Sequence, residues 1–379
     1  MPLDHLRLQP QIKTFAQQAL VARARTAEKL EIALSMLQAC AADENLAWRG
    51  VAADGSERCA LPTHETLDQT YSVQPQLAEY TLLAADGSQI IPSSHDALPL
   101  ALTNASLICQ PPGHQAPSVS IRSLILQEDE DGLEFEQFNA DLVNLLRDVA
   151  ELEILLEWQA PVEAVPAVVA LRDGSLELFH EPHAAHKVSL ERAFARYQQH
   201  LRAIHSRGFI LAGYIDRSRA TLLTRMLELH AASPNCLGGL RDLPIMQAIL
   251  PAGHRSALFE LHSSASERYQ ADLRVHFFYL NVGQPERPSI ARVEVPAWVA
   301  QDATSLSLLH QALLEQCRLM RSRPYPYLLH RAHEEAVVHF DEKDQLLNAL
   351  SLEMQRLGLN PGQPSNKLSA KQLPIRKRR

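Results

Sequence analysis

No uninterrupted apolar run in the 379 residues approaches the roughly 20 that a membrane-spanning helix needs. The opening residues, MPLDHLRLQPQIK, lack the apolar core of a secretory signal, so a cytoplasmic protein without membrane contact is the expectation. Cysteine is sparse. Cys40, Cys59, Cys109, Cys236 and Cys317 are scattered without a Cys-x-x-Cys pair, which argues against a zinc ribbon or a disulfide framework and leaves reduced thiols. Acidic residues are missing altogether after Glu353, where Arg356, Lys367, Lys371, Arg376, Lys377, Arg378 and Arg379 stand. The total charge is −8, so the first 353 residues carry −15. That balance excludes a protein that simply coats nucleic acid, while a basic tail on an acidic body implies a local polyanion contact.

What is present suffices for a sizeable core. With 46% hydrophobic and 21% charged residues the chain is neither disordered nor fibrous, and its length suggests one large or two closely joined units. From about Leu6 to Ala42, apolar residues recur every three to four positions among good helix formers with no glycine. This predicts a long amphipathic helix offering a partner or dimer surface. A polar stretch follows to about Gln76. AEYTLLAADGSQIIP, ALPLALTNASLICQ and SVSIRSLILQ then read as strands with turn-rich joins. FNADLVNLLRDVAELEILLEW has helical spacing, with Asn139 or Asp141 as N-cap and Pro161 at its end. PAVVALRDGSLELF is another buried-type strand.

This order predicts the start of an RNase H-like α/β domain. Its mixed sheet is flanked by helices, with the long helix before it and further strands and helices after it. The later segments are the helices SLERAFARYQQHLRAIHSRG and RATLLTRMLELHAA around the strand FILAGYID, and a strand pair, ADLRVHFFYLNV and SIARVEVPAW. LSLLHQALLEQCRLM and PYLLHRAHEEAVVHF read as the closing helices.

Hard divalent cations need oxygen donors converging from different elements, because neighbouring residues of one strand face opposite ways. Asp86 and Asp173 each stand at the expected end of an apolar strand, before a glycine that turns the backbone away. Asp-Gly is a common turn signal, and Asp54-Gly55-Ser56 and Asp131-Gly132, set among polar residues, are read as plain turns. Asp86 and Asp173 differ from them in following apolar strands with an acidic helix between. Glu151, Glu153 and Glu157 compete for the helix position. Arg147, four residues before Glu151, favours Glu151, and Glu153 lies about 200° further round the helix. Such a cluster holds Mn²⁺ or Mg²⁺ for phosphodiester hydrolysis. His333 is a candidate ligand or proton carrier. Tyr325 and Tyr327, flanking Pro326, are candidates for stacking on bases or a sugar.

At these residues the sequence resembles the NurA family of DNA-repair nucleases. The resemblance rests on Asp86-Gly87-Ser88, Arg147-x-x-x-Glu151, Asp173-Gly174-Ser175-Leu176 and Gly213-Tyr214-Ile215-Asp216 followed by Ser218. Arg292-x-Glu294-x-Pro296-x-Trp298 and Tyr325-Pro326 with Ala332-His333 complete it. It implies a homodimer enclosing a channel and a manganese-dependent 5′–3′ exonuclease and single-strand endonuclease. Such an enzyme processes DNA ends in double-strand break repair with a HerA-type hexameric ATPase. It also implies that Asp86, Glu151, Asp173 and His333 are metal-binding and catalytic, with Tyr325 near the site; helix spacing makes Arg147, and the basic tail makes Lys367 and Lys371, further candidate substrate contacts. The domains expected are an N-terminal helical and linker region over 1–76, a nuclease domain over 77–345, and a helix end with the basic tail over 346–379. An RNA or branched-DNA nuclease of the same fold, or a non-catalytic adaptor docking an ATPase through the first helix, are the alternatives.

Overall fold

The computed structural model describes residues 3–43, 58–73, 79–93, 98, 100–113, 115–127, 138–160, 167–178 and 187–360. The Asp54-Gly55-Ser56 and Asp131-Gly132 turns and the tail with Lys367 and Lys371 lie outside them. In chain order the elements are α1 (His5–Ala42), β1 (Cys59–Pro62), β2 (Tyr80–Ile90), β3 (Leu102–Gln110), β4 (Ser118–Ile125), α2 (Ala140–Glu157) and β5 (Ala167–Asp173). They continue with α3 (Lys187–Ser206), β6 (Ile210–Asp216), α4 (Leu222–His230), α5 (Asp242–Ile249), β7 (Phe259–His262), β8 (Val275–Asn281) and β9 (Ile290–Pro296). The last are α6 (Ala297–Ala300), α7 (Ala303–Leu319), α8 (Tyr327–Ala336) and α9 (Phe340–Arg356). No helix among the described residues is long and apolar enough to cross a membrane.

Two compact units result, Met1–Gln74 with Ile215–Ala300, and Pro75–Tyr214 with Gln301–Arg379. In the first, β1, β7, β8 and β9 pair antiparallel in that order. Asp4 caps α1 by accepting from the Arg7 amide, and only Ala33, Leu37 and Cys40 near its far end are buried. Leu6, Ile12, Phe15, Leu20 and Val21 on the earlier turns are exposed. A guanidinium joins distant segments of this unit: Arg255 bonds both carboxylate oxygens of Glu65, at 2.8 and 2.7 Å.

The second unit is built on β2. It pairs antiparallel with β3, which pairs with β4, and parallel with β5, which lies parallel to β6. The strand order is therefore β6-β5-β2-β3-β4. Val168 to Leu171 of β5 are all buried, as expected of a parallel strand covered on both faces. Asn139 caps α2, accepting from the Leu142 amide at 2.9 Å.

Two expectations need correction. Asp86 does not end its strand: β2 runs on through Gly87 and Ser88 to Ile90, because Asp86, Gly87 and Ser88 pair with Ser106, Ala105 and Asn104 of β3. The segment PYLLHRAHEEAVVHF is not one helix. Val337 leaves the helical region at φ −62°, ψ 121°, ending α8 at Ala336, and α9 starts afresh with His339 as its N-cap.

Asp173 does end β5, and Gly174 turns the chain with φ +97°. The turn is held against β6: the Gly174 amide donates to the Tyr214 carbonyl, and a Cβ on Gly213 would lie 2.4 Å from the Gly174 oxygen. That obstacle is backbone and cannot swing aside. Gly213→Ala is therefore expected to lower unfolding free energy by about 1–3 kcal/mol through overpacking. Urea denaturation of the variant checks this; wild-type stability would mean that the turn yields.

Candidate active site

The parallel ladder between β2 and β5 ends where Ala85 stands opposite Arg172. The next residue on each strand is an aspartate, so Asp86 and Asp173 leave neighbouring strands toward the same face. Contacts identify the faces. Asp86 and Ser88 meet α8, whereas Gly87 and Arg172 meet α2.

On the α8 face, Asp86 is buried; its Oδ2 lies 2.7 Å from His333 Nδ1, and its Oδ1 accepts from the Gly87 amide at 2.8 Å. His333 keeps 59% of its side chain exposed, so this imidazole can reach a ligand. The Tyr325 hydroxyl donates to Asp173, and the Tyr325 ring stands edge-on to Tyr214 at 5.3 Å. Burial pushes the Asp173 carboxyl up and the Asp86 charge pushes it further, against the pull of Tyr325, His333 and Arg172.

On the opposite face a buried guanidinium dominates. Arg172, 1% exposed, donates from Nε to Glu151 Oε2 at 2.9 Å and from Nη2 to Asp148 Oδ1 and Glu151 Oε2, both at 2.7 Å. Its Nη1 bonds the Ser175 carbonyl and the Tyr197 hydroxyl, both at 3.1 Å. Burial pushes the Glu151 carboxyl up, Arg172 pulls it down, and Asp148 and Asp86 push it up again. Glu151 Oε1 is left facing Gly87, 2.9 Å from where a Cβ would stand, with Arg147 Nε 3.4 Å away. Arg147 also pairs with Asp148 at 2.9 Å.

The structure thus gathers Asp86, Asp173, His333 and Tyr325, and sets Glu151 and Arg147 across the strand beside Gly87. Glu153 belongs elsewhere, bound by Arg122 at 2.8 Å, by His200 at 3.1 Å and by Arg196. Burial pushes the Glu153 carboxyl up, but those partners outweigh it and hold it below the usual carboxylate range. Glu157 pairs with Arg122 at 3.1 Å, and Tyr327 is exposed. Sequence reasoning missed Arg172, Asp148 and Tyr197; the one available signal was an arginine inside the apolar strand AVVALRD.

Among the described residues no three His, Cys, Asp or Glu side chains are set to hold a metal ion together. The donor chemistry nevertheless fits a hard divalent cation. Asp86 and Asp173 repel each other on one face, a repulsion that a cation there would relieve, and Glu151 turns an oxygen toward Gly87 from the other face.

The NurA domain matches residues 80–338, more than half of the chain. The chain belongs to the NurA family. All the residues gathered here fall inside the NurA domain, whereas Lys367 and Lys371 fall outside it. A crystal structure of NurA is 10% identical, with 90% of this chain and 97% of that one covered at a TM-score of 0.43. A crystal structure of NurA with manganese is 11% identical, covering 91% and 98% at 0.38. One of NurA bound to dAMP and manganese is 10% identical, covering 74% and 89% at 0.35. None of the curated proteins matches.

Two outcomes are expected. Arg172→Met, which strands Asp148 and Glu151 in the interior, should cost about 3–5 kcal/mol of stability. Arg172→Lys should recover only part, since an ammonium cannot reach all these acceptors; chemical denaturation measures both. Asp173 has a native pKa above its unfolded value, so the native state disfavours its ionised form increasingly as pH rises through the carboxylate range. Asp173→Asn should therefore raise Tm of metal-free protein at neutral pH and leave it unchanged in strong acid, where the carboxyl is neutral in both states.

Proposed function

We propose that this chain is a metal-dependent deoxyribonuclease with Asp86, Asp173, His333 and Glu151 as its centre. The observation that carries the reading is the side-by-side exit of Asp86 and Asp173 from parallel β2 and β5, with His333 2.7 Å from Asp86. The order β6-β5-β2-β3-β4, an antiparallel trio followed by two parallel strands, supports an RNase H-like description. Membership of the NurA family supports DNA as substrate. We assign it 5′–3′ exonuclease and single-strand endonuclease action on DNA ends in double-strand break repair.

Asp86, Asp173 and Glu151 would hold a manganese or magnesium ion beside His333, and that ion would supply an activated water and stabilisation of the leaving oxygen. Each protein group has its own part. Asp86 holds the His333 ring by Nδ1, leaving the exposed imidazole to hand a proton to the leaving oxygen. Tyr325 fixes the Asp173 carboxylate by donating to it. Arg147, with 31% of its side chain exposed, is proposed as the phosphate contact.

A homodimer and a HerA-type hexameric ATPase are the proposed partners. The apolar side chains exposed along the first turns of α1 support a docking role for that helix. The basic tail with Lys367 and Lys371 is proposed to grip the DNA backbone.

The test is a cleavage assay on end-labelled single- and double-stranded DNA and RNA with Mn²⁺, Mg²⁺ or EDTA. Cleavage of DNA should require the metal and vanish in Asp86→Asn and Asp173→Asn. Glu151→Gln should slow it by at least about tenfold, whereas Glu153→Gln should keep nearly the wild-type rate. Activity persisting in EDTA would sink the mechanism, and cleavage of RNA alone would replace the substrate.

A further inference from the structure

The face of β2 and β3 that carries Asp86 also carries polar side chains with no part in the chemistry above. Ser106 stands opposite Asp86, Asn104 opposite Ser88, and Ser123 of β4 opposite Asn104. Asn104 and Ser106 are buried in the middle of the sheet, where apolar residues are the norm. Each donates to a carbonyl of α8. Ser106 Oγ donates to the Ala332 carbonyl at 2.6 Å. The Ala336 carbonyl, in the last turn where a helix has no donors of its own, accepts from Ser88 Oγ at 2.5 Å and from Asn104 Nδ2 at 2.7 Å. Ser123 Oγ donates to Asn104 Oδ1 at 2.6 Å, which fixes the direction of the Asn104 amide.

His333 lies between the two gripped carbonyls. Leu328, Leu329 and Ala332 of α8 are buried, and apolar burial is not directional; at the start of the helix the Leu328 amide donates to Gln316 Oε1 at 3.0 Å. A slip of one residue moves a helical side chain by about 1.5 Å along the axis and about 100° around it. Hydrogen bonds to two carbonyls one turn apart forbid both motions.

We propose that Ser88, Asn104 and Ser106 are positioning residues, a hydrogen-bond clamp that fixes α8 along and about its axis and so holds His333 against Asp86. The proposal rests on the reading of Asp86, Asp173 and His333 as a nuclease centre. It gives the serine of Asp86-Gly87-Ser88 a role distinct from the aspartate's.

The test uses Ser106→Ala, Asn104→Ala and Ser88→Ala, with Ser88→Thr as the conservative variant, in the full chain. Mn²⁺-supported turnover of an end-labelled single-stranded oligonucleotide should fall roughly 10- to 100-fold in the alanine variants, as for a displacement of about 1 Å near the chemistry. DNA affinity should stay near wild type, and Ser88→Thr should restore the rate. The losses should disappear in a His333→Ala background, because the clamp acts through that ring. Equal losses in that background, or wild-type turnover throughout, would overturn the proposal.

A second readout does not depend on activity. In protein labelled with ¹⁵N-histidine, the His333 ring signals, assigned by their loss in His333→Ala, should shift in each alanine variant and return in Ser88→Thr. Unmoved signals in folded variants would also overturn the clamp. Shifted signals in a protein that cleaves nothing would leave the clamp standing and remove the nuclease reading. Should Asn104→Ala fail to fold, Ser88→Ala and Ser106→Ala decide the outcome alone.

Discussion

The second unit is organised around one buried guanidinium. Arg172 loses its water completely on folding, and a charge so placed is tolerable only if every donor finds an acceptor. All three nitrogens do, and the acceptors come from three directions: α2 through Asp148 and Glu151, α3 through Tyr197, and the turn after β5 through Ser175. The strand that ends in Asp173 is thus tied at its last buried position to both neighbouring helices. On this face Arg147 and Arg172 balance Asp148 and Glu151. On the other, His333 is the basic side chain that Asp86 contacts among the described residues. The surplus of negative charge that a cation would neutralise therefore lies on the α8 side.

This division of labour follows from the two-residue period of a strand. Arg172 and Asp173 are chain neighbours and so face opposite ways, as do Asp86 and Gly87. One face carries the ion pairs of Arg172 with Asp148 and Glu151, the other the two aspartates with His333. Gly87 is the point where the faces communicate: without a side chain there, α2 approaches closely and Glu151 comes within electrostatic reach of Asp86.

Much of this architecture was legible in the sequence. The strands holding Asp86 and Asp173, the helix holding Glu151 and the Asn139 cap announce themselves by period and capping chemistry, which are local properties. What was illegible depends on distant partners. Asp86-Gly87 reads as a turn by local propensity, yet pairing with β3 keeps it extended. The break after Ala336 carries no glycine or proline, and β1 and β7, four residues each, are too short to show a period. Arg172 could be noticed in AVVALRD, but nothing nearby says that Asp148 and Tyr197 will meet it. The interior amides and hydroxyls of Asn104 and Ser106 acquire meaning only when α8 is laid over them.

The pairing of Asp86 with His333 spans 247 positions of the chain. A ribosome adds residues at about 5–20 per second, so the strands bearing both aspartates emerge well before the helix that completes the constellation. Nascent chains and products of premature termination before α8 accordingly lack the imidazole and the ordered face beneath it. Of the three groups, the imidazole is the last to leave the ribosome.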